Sequence, residues 1–303
     1  MAESKNHFEF KEDGDNKLHV LMDGKKITTF YYNDFELANR PFLYPIKAPC
    51  EEQVTRGYPI EEIEGETKDH IHHTSVWTAW GRVNRIDNWA YGEKNGRQVV
   101  KSIQTSNKED KGIIDLKIQW TTPNGKLQLK ENRKICFHAS KKPFIIDFDI
   151  ALTASAGKIK FKDTKEGGFL ATRVATSMDV RNGGKIENSN GKVSDGKDAE
   201  KNVWGKKAQW CDYSGYVNDE QVGIAILDHP DNPNHPTYWH VRNYGLMAAN
   251  PFGKSYFVSK WKRGHYKLNP GETIRFRYEL VVHDGNAQQA KIDQLYEEFV
   301  KNN

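Results

Sequence analysis

Apolar and polar residues alternate with period two along most of this chain. In 112–120 (GIIDLKIQW), Ile114, Leu116, Ile118 and Trp120 fall on one side of an extended segment, with Asp115, Lys117 and Gln119 on the other. The same alternation runs through 126–138, 143–152, 158–163 and 273–281, and less cleanly through 17–32, 74–81 and 97–106. Turn-forming pairs separate these runs: Asp23-Gly24, Asn124-Gly125, Asn182-Gly183 and Pro270-Gly271. More than ten short strands without interleaved helices predict an all-β fold, a large antiparallel sandwich. Only 286–302 reads as helix. There Ile292, Leu295, Tyr296 and Phe299 recur at helical spacing, and Asn286 with Gln289 forms a capping-box start. The Gly-, Asn- and Lys-rich stretch 180–203 predicts a long surface loop. One terminal helix does not make a second domain, so the reading is a single domain over 1–303 with its core in 17–285.

Composition fits that pattern. Hydrophobic residues are 37% of the 303, and mean hydropathy is −0.82, as strands with one wet face produce. Aromatic residues reach 12%, too many large rings for a disordered chain. The 45 basic and 41 acidic residues nearly cancel to +4, which excludes nucleic acid as the expected partner. No stretch approaches the roughly 18 apolar residues of a spanning helix, so no membrane partner is expected. Cys50, Cys136 and Cys211 are odd in number and lack a CxxC pair, so they read as buried thiols. The opening MAESKNHFEF has no apolar h-region. The expected compartment is cytoplasmic if Met1 is the native start and periplasmic if a leader has been removed. No motif sets an oligomeric state.

Candidate chemistry lies in two histidine-bearing segments. In DHIHHTSVWTAWG (69–81), an extended reading puts His70 and His72 on one face and His73 on the other. Such an H-x-H pair can hold a divalent transition metal, with Asp69 or a distant residue completing the set. The competing reading is a polar strand edge whose imidazoles only hydrogen-bond. No cofactor is certain, and a divalent metal on His70 and His72 stays open. The second segment, 227–253, contains His229, His235 and His240 and reads as a long structured loop rich in Pro, Asn and Gly. Its Trp239, His240, Arg242, Asn243, Tyr244 and Asn250 mix ring faces, a base, a cation and amides, as sugar sites do. Arg56 and Tyr58 in 56–65, Trp210, Asp212 and Tyr213 in 208–215, and Arg173 on a strand would reach the same face. GxSxG, GxGxxG, P-loop and HExxH motifs are all absent, and the Asp147/Asp149 pair reads as solvent-facing.

RPFLYPIKAP (40–49), VTRGYPIEE (54–62), DHIHHTSVWTAWGRVN (69–84), WCDYSG (210–215), 223–253 and PGETIRFRYELVVHDG (270–285) together resemble the PmoA-like family. The label "methane oxygenase" that this family carries is a misnomer for such a chain, which has no spanning helix and no H-x-D iron triad. The resemblance implies a galactose-mutarotase-like β-supersandwich and, for part of the family, dehydration of a terminal uronic acid as in ulvan breakdown. An Arg commonly follows the family's histidine pair, whereas Thr74 does here, leaving Arg56, Arg173 or Arg242 for a substrate carboxylate.

The implied reaction is a carbon–oxygen lyase step on an anionic oligosaccharide, leaving a 4,5-unsaturated uronate. Taking the C5 proton needs a neutralised carboxylate, a base near neutrality and an acid for the departing 4-hydroxyl. The chain offers His70, His72, His73 and His240 as bases and Tyr58, Tyr213 and Tyr244 as acids. The reading favours His240 or His72 as base, Arg242 as clamp and Tyr213 or Tyr244 as acid. Trp77, Trp210 and Trp239 would form the sugar platform. The alternatives are a mutarotase or epimerase-like isomerase and a non-catalytic sugar-binding protein.

Overall fold

Wherever apolar side chains repeat every second residue, the chain runs extended and pairs with a neighbour. The computed structural model describes residues 7–140, 142–196 and 200–302. In chain order the strands are β1 (Phe8–Glu12), β2 (Lys17–Met22), β3 (Lys25–Tyr31), β4 (Phe42–Tyr44), β5 (Val76–Trp80), β6 (Arg97–Lys108), β7 (Lys111–Thr121), β8 (Leu127–His138), β9 (Phe144–Thr153), β10 (Ile159–Phe161), β11 (Gly167–Arg173), β12 (Lys185–Asn188), β13 (Val193–Ser194), β14 (Trp210–Val217), β15 (Glu220–Asp228), β16 (Tyr238–Val241), β17 (Leu246–Asn250), β18 (Tyr266–Leu268) and β19 (Thr273–Asp284). Three short or terminal helices are α1 (Glu200–Val203), α2 (Lys254–Phe257) and α3 (Ile292–Asn302). The four expected turn glycines, Gly24, Gly125, Gly183 and Gly271, adopt φ of 77°, 76°, 95° and 86°, a region that only glycine enters without strain.

An eight-stranded sheet runs β1-β2-β3-β4-β5-β11-β17-β16, and a nine-stranded sheet runs β13-β12-β14-β15-β19-β9-β8-β7-β6. Neighbouring strands in both are antiparallel. The sheets face each other. Leu43, Trp80 and Met247 from the first share one core with Ile118, Ile150 and Phe276 from the second, and Phe169 stacks on Phe276 at 4.0 Å. This is the expected all-β supersandwich with a C-terminal helix. Each sheet also buries part of its outer face. On the eight-stranded sheet, Phe42, Tyr44, Trp77, Trp89, Ala171 and Ala248 form a second apolar layer. On the nine-stranded sheet, α3 lays Ile292, Tyr296 and Phe299 over Trp210, Leu227 and Val281.

Three expectations change. The stretch 180–203, of which 197–199 lie outside the described residues, forms strands β12 and β13 and helix α1. Lys185–Asn188 alternates in burial and pairs with β14, so it extends the sheet despite its polar composition. Likewise 227–253 contains the hairpin β16–β17, because Trp239, Val241, Met247 and Ala249 point into the core. At the C-terminus the capping box forms, with the Asn286 amide bonded to Gln289 Oε1 and the Gln289 amide to Asn286 Oδ1. It closes only a turn. Lys291 at φ 56° breaks the chain direction, and the helix begins at Ile292.

Candidate functional site

The segment 69–75 is a turn and not a strand. His73 N–H donates to the His70 carbonyl at 2.8 Å, and His70 and Ser75 hold φ of 42° and 57°. Residues three apart therefore meet, which inverts the H-x-H expectation. The His70 and His73 rings stack at 4.8 Å with planes 7° apart, while His72 stands edge-on to both. Trp77, the second residue of β5, lies beneath as a buried floor, its ring 5.3 Å from His73. Tyr244 covers the column from above, 4.8 Å from His70. It reaches there from the β16–β17 turn, where Gly245 at φ 99° accepts a backbone that a Cβ would crowd against Val174 and the Arg173 side chain.

Arginines hold this column. Buried Arg56 donates to the carbonyls of Thr67 and His70 at 3.2 and 3.1 Å, so one guanidinium fixes the turn from below. Asp69 Oδ1 accepts from Arg56 and from Arg173, each at 2.6 Å. Burial alone would raise the Asp69 carboxyl, but Arg173 and His70 outweigh it and hold it below the usual range. Its other oxygen lies 3.0 Å from His70 Nδ1. The half-exposed His70 thus has an oriented ring, and among the described residues its Nε2 has no partner. Arg173 Nη1 lies 3.0 Å from His73 Nδ1. A guanidinium only donates, so His73 is neutral with its proton on Nε2.

The other imidazoles are neutral as well. Burial, then Arg40, His70, Arg56 and Arg173, pull His72 down to about 3, and burial with His72 and Arg173 drives His73 well below its ordinary value. Arg40 reaches the same corner, bonding the carbonyls of Asn88, Trp89 and His72. Around Tyr244 the guanidiniums of Arg173, Arg181 and Arg242 lie 4.9, 5.5 and 5.3 Å from the ring centre. Burial raises the Tyr244 phenol, with Arg242 and Arg173 opposing, so it holds its proton at neutral pH. Arg242 pairs with Glu200 at 3.0 Å, and the Asn243 amide bonds the same carboxylate, which ties the turn to α1. Arg56 lies 5.5 Å from the Tyr58 ring, which borders the site. Arg40, Trp89 and Arg181 are absent from the sequence reading. Arg40 has a signal in RPFLYPIKAP, and nothing local marks Arg181.

Several predicted site residues lie elsewhere. Trp77, Ala171, Ala248 and His240 stand opposite one another across β5, β11, β17 and β16. Three interstrand spacings, about 14 Å, separate His240 from Trp77. His240 is buried, accepts from Trp204 Nε1 at 3.1 Å and falls to about 3 through burial, so it shares no ligand atom with the turn. Tyr213 is a core residue whose hydroxyl accepts from Val180 N–H and donates to the Arg242 carbonyl. Trp239 is buried in the main core with its indole N–H on the Ala208 carbonyl. Trp210 packs under α3 and bonds Asp293. Asp212 pairs with His283 at 2.7 Å in a buried position. Asn250 pins its own loop through Thr164, Lys165, Phe252 and Gly253. None of these six presents a face at the turn. Three metal ligands do not converge at 69–73 among the described residues, because the turn aligns ring faces in place of ring nitrogens.

A model of the family of unknown function DUF6807 matches residues 17–297. The chain belongs to this family. For this DUF6807 protein, a comparison with curated protein sequences finds no match. Among solved structures it is similar to the galactose 1-epimerase from Lactobacillus acidophilus NCFM, at 8% identity and TM-score 0.45, covering 92% of this chain and 99% of that one. It is also similar to a galactose mutarotase-like protein from Lactobacillus casei ATCC 334, at 8% identity and TM-score 0.42, covering 91% and 100%. Within the DUF6807 chain, the site formed by 56–73, Arg173, Arg181 and 242–244 is a cationic wall with an oriented imidazole and a protonated phenol in contact.

Proposed function

We propose that this protein is an acid–base enzyme acting on the terminal uronic acid of an oligosaccharide, with dehydration to a 4,5-unsaturated uronate as its reaction. One observation carries the reading: Asp69 orients His70, and His70 stacks on Tyr244 inside a group of guanidiniums. Arg181 and Arg242 take the substrate carboxylate, which makes the adjacent C5–H more acidic. His70 Nε2 removes that proton, the C4–C5 double bond forms, and Tyr244 gives its proton to the departing 4-hydroxyl, which leaves as water. The phenolate stands against three guanidiniums until it regains a proton from the His70 imidazolium, restoring both groups. In this reading His70 replaces His72 and His240 as base, because among His70, His72, His73 and His240 it is the one with a carboxylate behind one nitrogen and an exposed ring. The resemblance of the histidine blocks to the PmoA-like family supports the same chemistry.

A second reading, a mutarotase-like sugar isomerase, is favoured by the sharing of one wall by three imidazoles and a phenol. Ring opening needs a base for the anomeric hydroxyl and an acid for the ring oxygen, and it leaves mass unchanged. Incubation with saturated oligosaccharides ending in a uronic acid separates the two. Conjugated-alkene absorbance with loss of one water per molecule is the expected result, and its absence defeats the dehydratase. Anomer exchange by NMR without mass change supports the isomerase. Binding with neither change supports a non-catalytic sugar-binding protein.

A further inference from the structure

We infer that the outer face of the nine-stranded sheet carries a divalent transition-metal site, of the kind that takes Zn²⁺, built from Cys136, His138, Asp147 and Glu279. The sheet register assembles it. Cys136 on β8 stands opposite Asp147 on β9, and Asp147 stands opposite Glu279 on β19, so three adjacent strands present these side chains in one row. His138 lies two residues beyond Cys136 on the same face. Ligand atoms of Cys136, His138 and Asp147 all lie within 4.8 Å of one another. Tetrahedral zinc with ordinary bond lengths separates its ligand atoms by about 3.3–3.8 Å, so small rotamer changes close the set. His138 Nε2 already meets Asp147 Oδ2 at 2.7 Å, and the Glu279 carboxyl hydrogen-bonds the same Asp147 carboxylate, so the fourth side chain already touches the set. Cys136 and Glu279 are each 6% exposed, whereas the His138 and Asp147 side chains are 22% and 20% exposed. That arrangement gives an ion two deep donors and an open side for entry.

The chemistry selects the ion. One thiolate, one imidazole and carboxylates match Zn²⁺ and its Co²⁺ surrogate, and they match Mg²⁺ or Ca²⁺ poorly, since those ions take oxygen ligands. The row is separate from the histidine turn, which lies on the other sheet. An ion here would tie β8, β9 and β19 together beside the edge of α3.

The test uses the full chain, stripped with a chelator and titrated with Zn²⁺ and then with Co²⁺. One ion per chain is expected, and Co²⁺ should give a sulfur-to-metal charge-transfer band. Cys136→Ser should abolish that band, and Asp147→Asn should weaken binding by at least about 100-fold, since changes even to residues behind the ligands cost 10- to 100-fold. His72→Ala, on the other sheet, should leave the binding intact. Cadmium NMR of the unaltered chain reads one sulfur ligand independently of whether a variant folds. Failure to bind one ion per chain, or a charge-transfer band that survives in Cys136→Ser, overturns the inference.

Discussion

The outer faces of the two sheets each gather ionisable side chains, guanidiniums around imidazoles on one and carboxyls beside a thiol on the other. Around β5 and β11 the eight-stranded sheet gathers Arg40, Arg56, Arg173, Arg181 and Arg242 against neutral imidazoles. Across β8, β9 and β19 the nine-stranded sheet places a thiol and two carboxylates in one row. Burial raises the cost of a charge on either face, and it keeps His72 on one and Glu279 on the other in the neutral form. His72 falls to about 3 beside arginines, and burial with Asp147 pushes Glu279 up to about 9. The proposed anion site therefore belongs to one face and the proposed metal site to the other. The contrast predicts different variants for each face.

The largest expected effect is kinetic and belongs to the cationic face alone. His70→Ala and Tyr244→Phe should each lower kcat on uronate-ended oligosaccharides by about 10²–10⁴-fold, the usual range for one proton-transfer group. His240→Gln, about 14 Å from Trp77 by strand spacing and bonded to Trp204, should stay within tenfold of the parent. Steady-state kinetics on the three variants checks this, and equal losses in all three would dissolve the distinction between the turn and the β16 corner. Next is stability. Arg173→Ala removes a 1%-exposed guanidinium, leaving Asp69 with Arg56 and His70 and buried His73 without its donor, so unfolding in denaturant should cost about 1–3 kcal/mol less, as when a buried hydrogen-bond partner is removed. Arg173→Lys should restore little of it, because an ammonium cannot reach Asp69 and His73 with a planar fork.

The strands are legible in sequence because their signal repeats. Ile114, Leu116, Ile118 and Trp120 are all 2% exposed or less, as alternation predicts. The site has no such repeat. His70 and His73 meet through one turn bond, which spacing arithmetic for an extended strand places on opposite faces. Trp210, Trp239, Tyr213 and Asp212 have the residue types of a sugar site, yet each is committed to a partner within the fold: Asp293, Ala208, Val180 or His283. Composition cannot tell a ring that stacks on substrate from a ring that fills a core. Asp147 reads as solvent-facing because alternation gives its face and says nothing of its neighbours. Only the register of β9 against β8 and β19 reveals Cys136 and Glu279 beside it.

Acid should expose the next difference. His72, His73 and His240 stay neutral in the fold while their unfolded counterparts take a proton near pH 6.5. The unfolded state then binds more protons, so stability is full above about pH 6.5 and declines as pH falls toward about 3. Each such histidine contributes up to about 1.4 kcal/mol per pH unit in that window. His240→Gln can still accept the Trp204 indole N–H but cannot titrate, so its stability should fall less steeply from pH 6.5 to 4. Chemical denaturation across that range measures the slope. An unchanged slope would mean that burial, with Lys165 and Arg242 nearby, does not exclude the proton from His240.

The smallest effect tests whether the cationic face reads charge at all. Arg181 is exposed, sits 5.5 Å from the Tyr244 ring, and also acts on the nearby Asp179 carboxylate. An exposed charge pair contributes at most about 1 kcal/mol, so Arg181→Ala should raise KM for a uronate-ended substrate by no more than about fivefold and leave kcat alone. Added salt should shrink the difference between parent and variant, since screening removes the same attraction. A neutral sugar of the same linkage should be indifferent to the substitution. If KM for the neutral sugar rises equally, Arg181 shapes the wall and does not recognise a carboxylate. The proposed anion-binding role of the eight-stranded face would then rest on Arg242, which already shares Glu200.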